Sequence, residues 1–244
     1  MRRIAALAAC AAAVVLATAG CGGLDLDAEE VHSAQSFPVS GTSLRIISSL
    51  GGVRVLPGTG DTVEVERWVR GKAADEGGAT WSLRDATLRL SANCNLVLGD
   101  CGARYHIKVP PGIRLSIDAA DGVVLKDLPQ DVDISSRDRI QLSGTSGRLR
   151  LRSEGPITGD GLKSANVRCR TLDGAIDLSF TSPPTDLDLQ SSDGRVTAAV
   201  PKGSYAVTAK STDGSERSEI ENDAKATSKI VARSTSGNVR ILAR

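Results

Sequence analysis

The chain has 244 residues, of which 2% are aromatic and 25 are glycine. Its 30 Lys and Arg stand against 29 Asp and Glu, a formal charge of +1 that supplies no electrostatic footprint for nucleic acid. Two Trp, two Tyr and two Phe cannot fill the wide core of a globular sandwich or an α/β enzyme, so small aliphatic residues must fill a thin, regular interior in a β-rich chain.

Arg2 and Arg3 open the sequence, Ile4 to Leu16 is an apolar run, and Ala17, Thr18, Ala19 and Gly20 lead to Cys21. The run is too short for a comfortable membrane span, so residues 1–20 read as a secretory signal peptide. The ending TAGC resembles the lipobox of bacterial lipoproteins, with Thr18 where that family most often has Leu. The resemblance implies cleavage before Cys21 and a thioether-linked diacylglycerol on its sulfur, with acyl chains such as palmitate. An ordinary cleaved signal with an incidental cysteine is the alternative. Two acyl chains, at about 0.8 kcal/mol per buried methylene, anchor a protein stably. The expected location is extracytoplasmic, lipid-anchored to the cell membrane. Residues 21–40 are polar and acidic without sustained periodicity and read as a flexible tether carrying His32.

Residues 41–118 contain LRIIS, VRVLPG, TVEVERWVRG, ATLRLS, YHIKVPPG and IRLSIDA, all alternating between apolar and polar positions. They read as an irregular N-terminal β cap with the first coils, and residues 71–86 as a loop excursion. Trp68 and Trp81 flank that loop and read as cap packing, with a sugar-stacking platform as the alternative. Cys94 and Cys101 bracket NLVLGD; in an exported chain such a pair favours a disulfide over a metal pair, since the spacing matches no common zinc motif. Closing that loop stabilises the fold by about 2.5 kcal/mol on the chain-entropy account. Cys169, in NVRCRT, shares a strand face with Val167 and points inward. His32 and His106 are isolated and make neither a metal site nor a Ser-His-Asp triad.

Residues 119–244 repeat. Corners at Gly122, Asp138, Gly155, Gly174, Gly194, Gly214 and Gly237 follow at steps of 16, 17, 19, 20, 20 and 23 residues. Each unit holds two alternating strands, such as RVTAAV and SYAVTAK, and cannot bury its apolar face alone. Stacking equivalent strands about 4.8 Å apart yields an all-β fold, a parallel β-solenoid of roughly 20-residue two-strand coils. Its rod is about 30 Å long from Gly122 onward, right-handed by the crossover rule. Glycine after an acid at the corners reads as a residue needed for positive φ.

YHIKVPPGIRLSIDAADGVVLKDL, followed by the SSDGRV, TLDGAI and STSGNV units, resembles the bacterial "putative adhesin" β-solenoid family, whose function is unknown despite its label. The resemblance covers roughly residues 41–244 and implies a parallel β-helix-like domain, often membrane-attached, with no catalytic residues to carry over. The units at Asp138 and Gly155 depart from the (S/T)-x-x-G corner, so local irregularity is expected there.

The corner acids Asp121, Glu154, Asp173, Asp193 and Asp213 suggest either turn chemistry or a calcium ladder, and one acid per coil favours turns. Outward Arg148, Arg150, Arg152, Arg168 and Arg170 form a basic patch, with Asp186 and Asp188 on the next coil. A surface ion-pair ladder is the plain reading; an anionic wall polymer or phospholipid headgroups could instead occupy the patch. The sequence therefore predicts a non-catalytic, adhesin-like scaffold without metal or cofactor. Its expected partners are membrane lipid through Cys21 and a cell-wall polymer or envelope protein, and not nucleic acid. A carbohydrate-active enzyme using Asp186 and Asp188 is one alternative, and an accessory envelope-stress sensor acting through a membrane partner is another.

Overall fold

The computed structural model describes residues 29–94 and 101–244. The signal segment, Cys21 and the first part of the expected tether lie outside the described residues.

The chain begins with β1 (Val31–Pro38), β2 (Ser43–Ser48), β3 (Gly52–Pro57) and β4 (Thr62–Arg70). A 3-10 turn at Gly71–Ala74 precedes β5 (Ala79–Arg84), β6 (Thr87–Ala92) and β7 (Gly102–Val109). The regular part runs through β8 (Arg114–Ala119), β9 (Val123–Lys126), β10 (Val132–Ser136), β11 (Ile140–Ser143), β12 (Leu149–Ser153), β13 (Ile157–Leu162), β14 (Asn166–Thr171) and β15 (Ile176–Phe180). It continues through β16 (Asp186–Ser191), β17 (Val196–Val200), β18 (Ala206–Ser211), β19 (Glu216–Ser218), β20 (Lys229–Ser234) and β21 (Val239–Ala243).

Alternation along each strand sends every second side chain inward, and stacking puts like on like. In one sheet Val132, Leu149, Val167, Leu187 and Ile230 stand in register. In the other, Ile140, Ile157, Ile176, Val196 and Val239 do the same. All ten are buried in one continuous core. The first sheet has ten strands, in the order β18-β20-β16-β14-β12-β10-β8-β2-β6-β5. The second has eleven, in the order β1-β4-β7-β3-β9-β11-β13-β15-β17-β21-β19. From β8 onward consecutive strands alternate between the sheets, so each coil contributes one strand to each, as a two-strand solenoid requires.

Four local expectations are corrected. Residues 31–38 of the expected tether are a strand, paired antiparallel with β4 from Val31↔Val69 to Pro38↔Thr62. Only Phe37 of that strand is buried, so backbone pairing at the sheet edge organises it and leaves no apolar period to read. The loop excursion contains β5, joined to β6 by a two-residue hairpin in which Asp85 and Ala86 take φ of 48° and 54°. Such a turn usually advertises itself with Asn-Gly or Asp-Gly, and Asp-Ala does not.

The corner glycines are required for a different reason from the one expected. The glycines with positive φ lie elsewhere, and Gly122, Gly155, Gly174, Gly194, Gly214 and Gly237 are not among them. They allow adjacent corners to touch: a Cβ on Gly174 would stand 2.6 Å from the Pro156 nitrogen, and one on Gly194 would strike the Gly174 carbonyl. The Ser or Thr of the same motif is buried and donates across the gap. Thr171 Oγ1 donates to Gly155 O at 2.6 Å, Ser191 Oγ to Gly174 O at 2.8 Å and Ser234 Oγ to Gly194 O at 2.7 Å. The motif is therefore a hydroxyl ladder with glycine contacts. The Asp138 corner joins it, accepting from Ser153 Oγ at 2.5 Å, and β10 to β12 stack in unbroken register. In the Gly155 unit the expected irregularity is present, as a register shift within β13 between Gly159 and Leu162.

The coils do not stack in sequence order at the ends. β6 and β7 lie outside β2 and β3, and the chain then returns to lay β8 and β9 on the inner side. At the other end, β20 and β21 occupy the slot between β16/β17 and β18/β19. Burial explains the choice. Ile230, Ala232, Val239 and Ile241 are completely buried in the slot, whereas Val207 and Ala209 of β18 are half-buried and all of β19 is exposed. The more apolar coil takes the interior place.

Candidate functional site: the arginine face and its corner groove

The outer face of the ten-stranded sheet carries the predicted arginines. Register sets Asp133, Arg150, Arg168 and Asp188 in one row and Ser135, Arg152, Arg170 and Gln190 in the next. Arg150 and Arg152 each approach Asp133 at 3.7 Å. On the other flank Asp188 takes Arg168 at 3.3 Å and a two-oxygen fork from Arg170, with Nη1–Oδ1 3.0 Å and Nη2–Oδ2 2.7 Å. Of the two acids expected to face the arginines, Asp188 takes this part, and Asp133, which the sequence analysis did not name, supplies the second carboxylate; each is shared by two guanidinium groups. Arg148 stands at the edge of this group beside Asn166, and Asp186 pairs across strands with Asn166 and Lys229.

The Arg170 fork holds the Asp188 carboxyl below the usual carboxylate range; burial opposes this, and the charges of Arg170, Arg168 and Arg233 add to it. Because the folded value is depressed, the stabilisation is present above the unfolded value of about 3.9 and is lost as pH falls through the folded one. Asp188→Asn is therefore expected to cost about 1.5 kcal/mol at pH 7, the scale of a charge-assisted bond. Urea midpoints of the two proteins should converge as pH drops below about 4. An equal difference at pH 7 and pH 2 would refute this assignment.

Beside the arginines a groove follows the corner between the sheets. One part holds about 400 Å³ and is lined by Ser135, Arg152, Glu154, Arg170, Leu172 and Gln190. A second part, about 440 Å³, continues past Ser135 and Glu154 to Ala119 and Ser49. Leu172 lies in the groove with 62% of its surface exposed, one of two large apolar residues left in water among the described residues. The sequence reading did not single it out. Its signal was a leucine at a corner position that holds Ser192 and Thr212 in the next two units.

The remaining predicted sites resolve differently. Cys94 and Cys101 form a disulfide, Cα atoms 5.7 Å apart. Cys169 is a buried free thiol whose pKa burial pushes up. The corner acids are strung one to a coil, and among the described residues no three His, Cys, Asp or Glu converge. Trp68 faces outward but is not an open platform. His32 stacks on it at 4.7 Å, the Arg104 guanidinium lies 4.7 Å from its centroid and His106 tilts against it at 4.6 Å. Burial and the nearby Arg54 and Arg104 charges lower the His106 pKa, with Glu66 opposing. Trp81 packs against the core under Arg67, which stands 4.3 Å over its ring and donates to Ala79 O at 2.8 Å. That contact closes the first end of the rod.

Stacked parallel coils, two strands per coil and a polar corner ladder define a two-sheet β-solenoid with a basic outer face. The chain belongs to the family described as Toastrack DUF4097, whose sequence profile matches residues 42–243. No curated protein matches the sequence. Solved structures similar to it include a "putative cell adhesion protein" from Clostridium sporogenes, at 11% identity and TM-score 0.40 over 88% of this chain and 100% of that one. A "putative adhesin" from Bacteroides fragilis has 12% identity and TM-score 0.37 over 87% and 97%. A "Putative lipid binding protein" from Parabacteroides distasonis has 11% identity and TM-score 0.44 over 86% and 96%.

Proposed function

We propose that the chain is a membrane-anchored, extracytoplasmic lipoprotein whose solenoid is a non-catalytic scaffold that binds an extended anionic envelope polymer along its arginine face. The observation that carries this reading is the gathering of five arginines on two adjacent coils of that face. Arg150, Arg152, Arg168 and Arg170 share Asp133 and Asp188, and Arg148 stands beside them, with Asp186 lining the same hollow and Asp131 accepting from the Arg148 amide. The arginines project from adjacent coils about 4.8 Å apart, comparable with the length of one sugar unit in an extended chain. The groove beside them offers Leu172 as an apolar contact for a ring face. A rigid rod with such a periodic surface suits recognition of a linear repeating partner. The Arg170 fork occupies both oxygens of Asp188, which speaks against Asp188 as a general acid. The TAGC segment supports the anchor.

The test is co-sedimentation of the protein with purified wall polymer from its host, at two salt concentrations. Saturable, salt-sensitive binding is expected, with affinity at least tenfold lower in Arg148→Glu/Arg150→Glu, a pair that leaves the Arg170 fork intact. No binding by the parent protein, or equal binding by the variant, would overturn the reading. For the anchor, Cys21→Ala is expected to move the protein from the membrane fraction to the soluble one; a variant still wholly in the membrane fraction would remove lipidation at Cys21.

A further inference from the structure

The coil formed by β20 and β21 fills a slot whose two walls are nearly the same surface. On one wall Leu187, Leu189 and Ser191 of β16 stand opposite Ile230, Ala232 and Ser234. On the other, Val207, Ala209 and Ser211 of β18 meet those same three residues. The walls are 20 residues apart in sequence, the repeat period itself. The corner hydroxyls follow the same scheme: Ser234 Oγ donates to Gly194 O, and Ser211 Oγ donates to Gly237 O, both at 2.7 Å. Everything that recognises this coil is local to the coil and its walls. Nothing in those contacts specifies that coil and walls belong to one chain.

We propose that residues 229–243 exchange between two copies of this chain, each copy's slot accepting the other's coil in a two-fold-symmetric dimer. The connector is suited to this. Residues 219–228 join β19 to β20, and Glu221, Asn222, Asp223, Ala224 and Lys225 are all exposed. Ten residues can span roughly 33 Å when extended, enough to reach a neighbouring rod. Closed and exchanged forms bury the same coil contacts and differ in the connector, where the closed form buries Ile220 and bridges Asn222 to Tyr205, so their balance depends on concentration and on releasing those contacts. The slot cannot remain empty at low cost, because Leu187, Leu189, Val196 and Ala198 would face water at a new edge.

The end of the rod, by contrast, is closed to strand addition. Val207 N donates to Asn222 Oδ1 at 2.9 Å and Ser211 N to Glu216 Oε1 at 2.7 Å, which blunts the outer edge of β18 with side chains of the same chain. The Asn222 contact belongs to the connector and is made in the closed form, whereas the Glu216 contact lies before the connector and is kept in both forms.

Gln190 and Arg233 are exposed and directly opposite across β16 and β20, which gives a specific test. Full-length Gln190→Cys and Arg233→Cys chains are mixed, unfolded in urea, refolded together at low and high concentration, oxidised and mapped by peptide mass. The expected product is a disulfide between position 190 of one chain and 233 of the other, in a dimer whose yield rises at least severalfold with refolding concentration. A single chain carrying both substitutions serves as the geometric control and should close the bond within itself at low concentration. If that control closes while the mixed chains give no 190–233 link at any concentration, the proposal is overturned. A dimer of the parent chain that lacks this link also overturns it, because the copies would then be meeting elsewhere.

Discussion

Gly194→Ala is expected to destabilise the fold by about 3 kcal/mol, the upper end of the range for overpacking. The added methyl group would collide with the Gly174 carbonyl of the corner on one side, and Gly237 of the next corner already presses on Gly194 from the other. Backbone lies on both sides, so no flexible side chain can yield. The neighbouring Ser191–Gly174 and Ser234–Gly194 bonds would lengthen together. Gly60→Ala is the informative comparison. Gly60 has φ of +79° and open space where a Cβ would stand, so its cost is only left-handed strain of about 1–2 kcal/mol. Urea unfolding of both variants checks the difference. Equal losses would mean that corner contact is not what Gly194 serves.

Phe180→Ala is expected to cost about 3–5 kcal/mol, as for other buried phenylalanines cut to alanine. Phe180 is completely buried at the end of β15, opposite Leu162 and just past the register shift in β13. Gly159 makes room for the neighbouring leucines: a Cβ there would approach Leu162 Cδ1 and Leu178 Cδ2 at 2.9 Å each. Removing the ring leaves a cavity that the flanking strands, hydrogen-bonded on both sides, cannot close. Leu172→Ala should change stability by no more than about 0.5 kcal/mol, because Leu172 already stands in water. Its effect should fall on polymer binding instead. A Phe180→Ala loss below about 1 kcal/mol would show that the coil collapses around the gap.

Much of the architecture was legible because the relevant signals are local. Period-two alternation in RLRLRS or DLDLQ identifies the inward side chains wherever the strand is placed. Corners about 20 residues apart announce repeated two-strand units. The same alternation identified the outward arginines and the inward Cys169, and short spacing across a Gly/Asp-containing loop identified the Cys94–Cys101 pair. β1 was not legible, because an edge strand needs only backbone partners and its polar side chains carry no period. The Asp85-Ala86 hairpin was not legible either, because its positive φ values fall on residues that do not advertise them. The role of the corner glycines was misread because a glycine in sequence does not say whether it is needed for φ or for space. Only the neighbouring coil's backbone distinguishes the two.

By itself, then, the sequence determined the two-strand coil, the inward set of side chains and the stacking of like on like, since each depends on a chain segment and its immediate repeat. The tertiary structure decided which coil lies beside which. Most coils present a similar apolar row and a hydroxyl corner, with Ala119 at that position in the β8 coil, so local pattern accepts many stacking orders. Burial breaks the tie. The coil with Ile230, Ala232, Val239 and Ile241 gains most from two neighbours and takes the interior slot, while the coil with exposed Glu216, Arg217 and Ser218 loses least at the end. Where Arg152, Arg170 and Leu172 meet in one groove is settled in the same way, by register between strands that the sequence keeps about 20 residues apart.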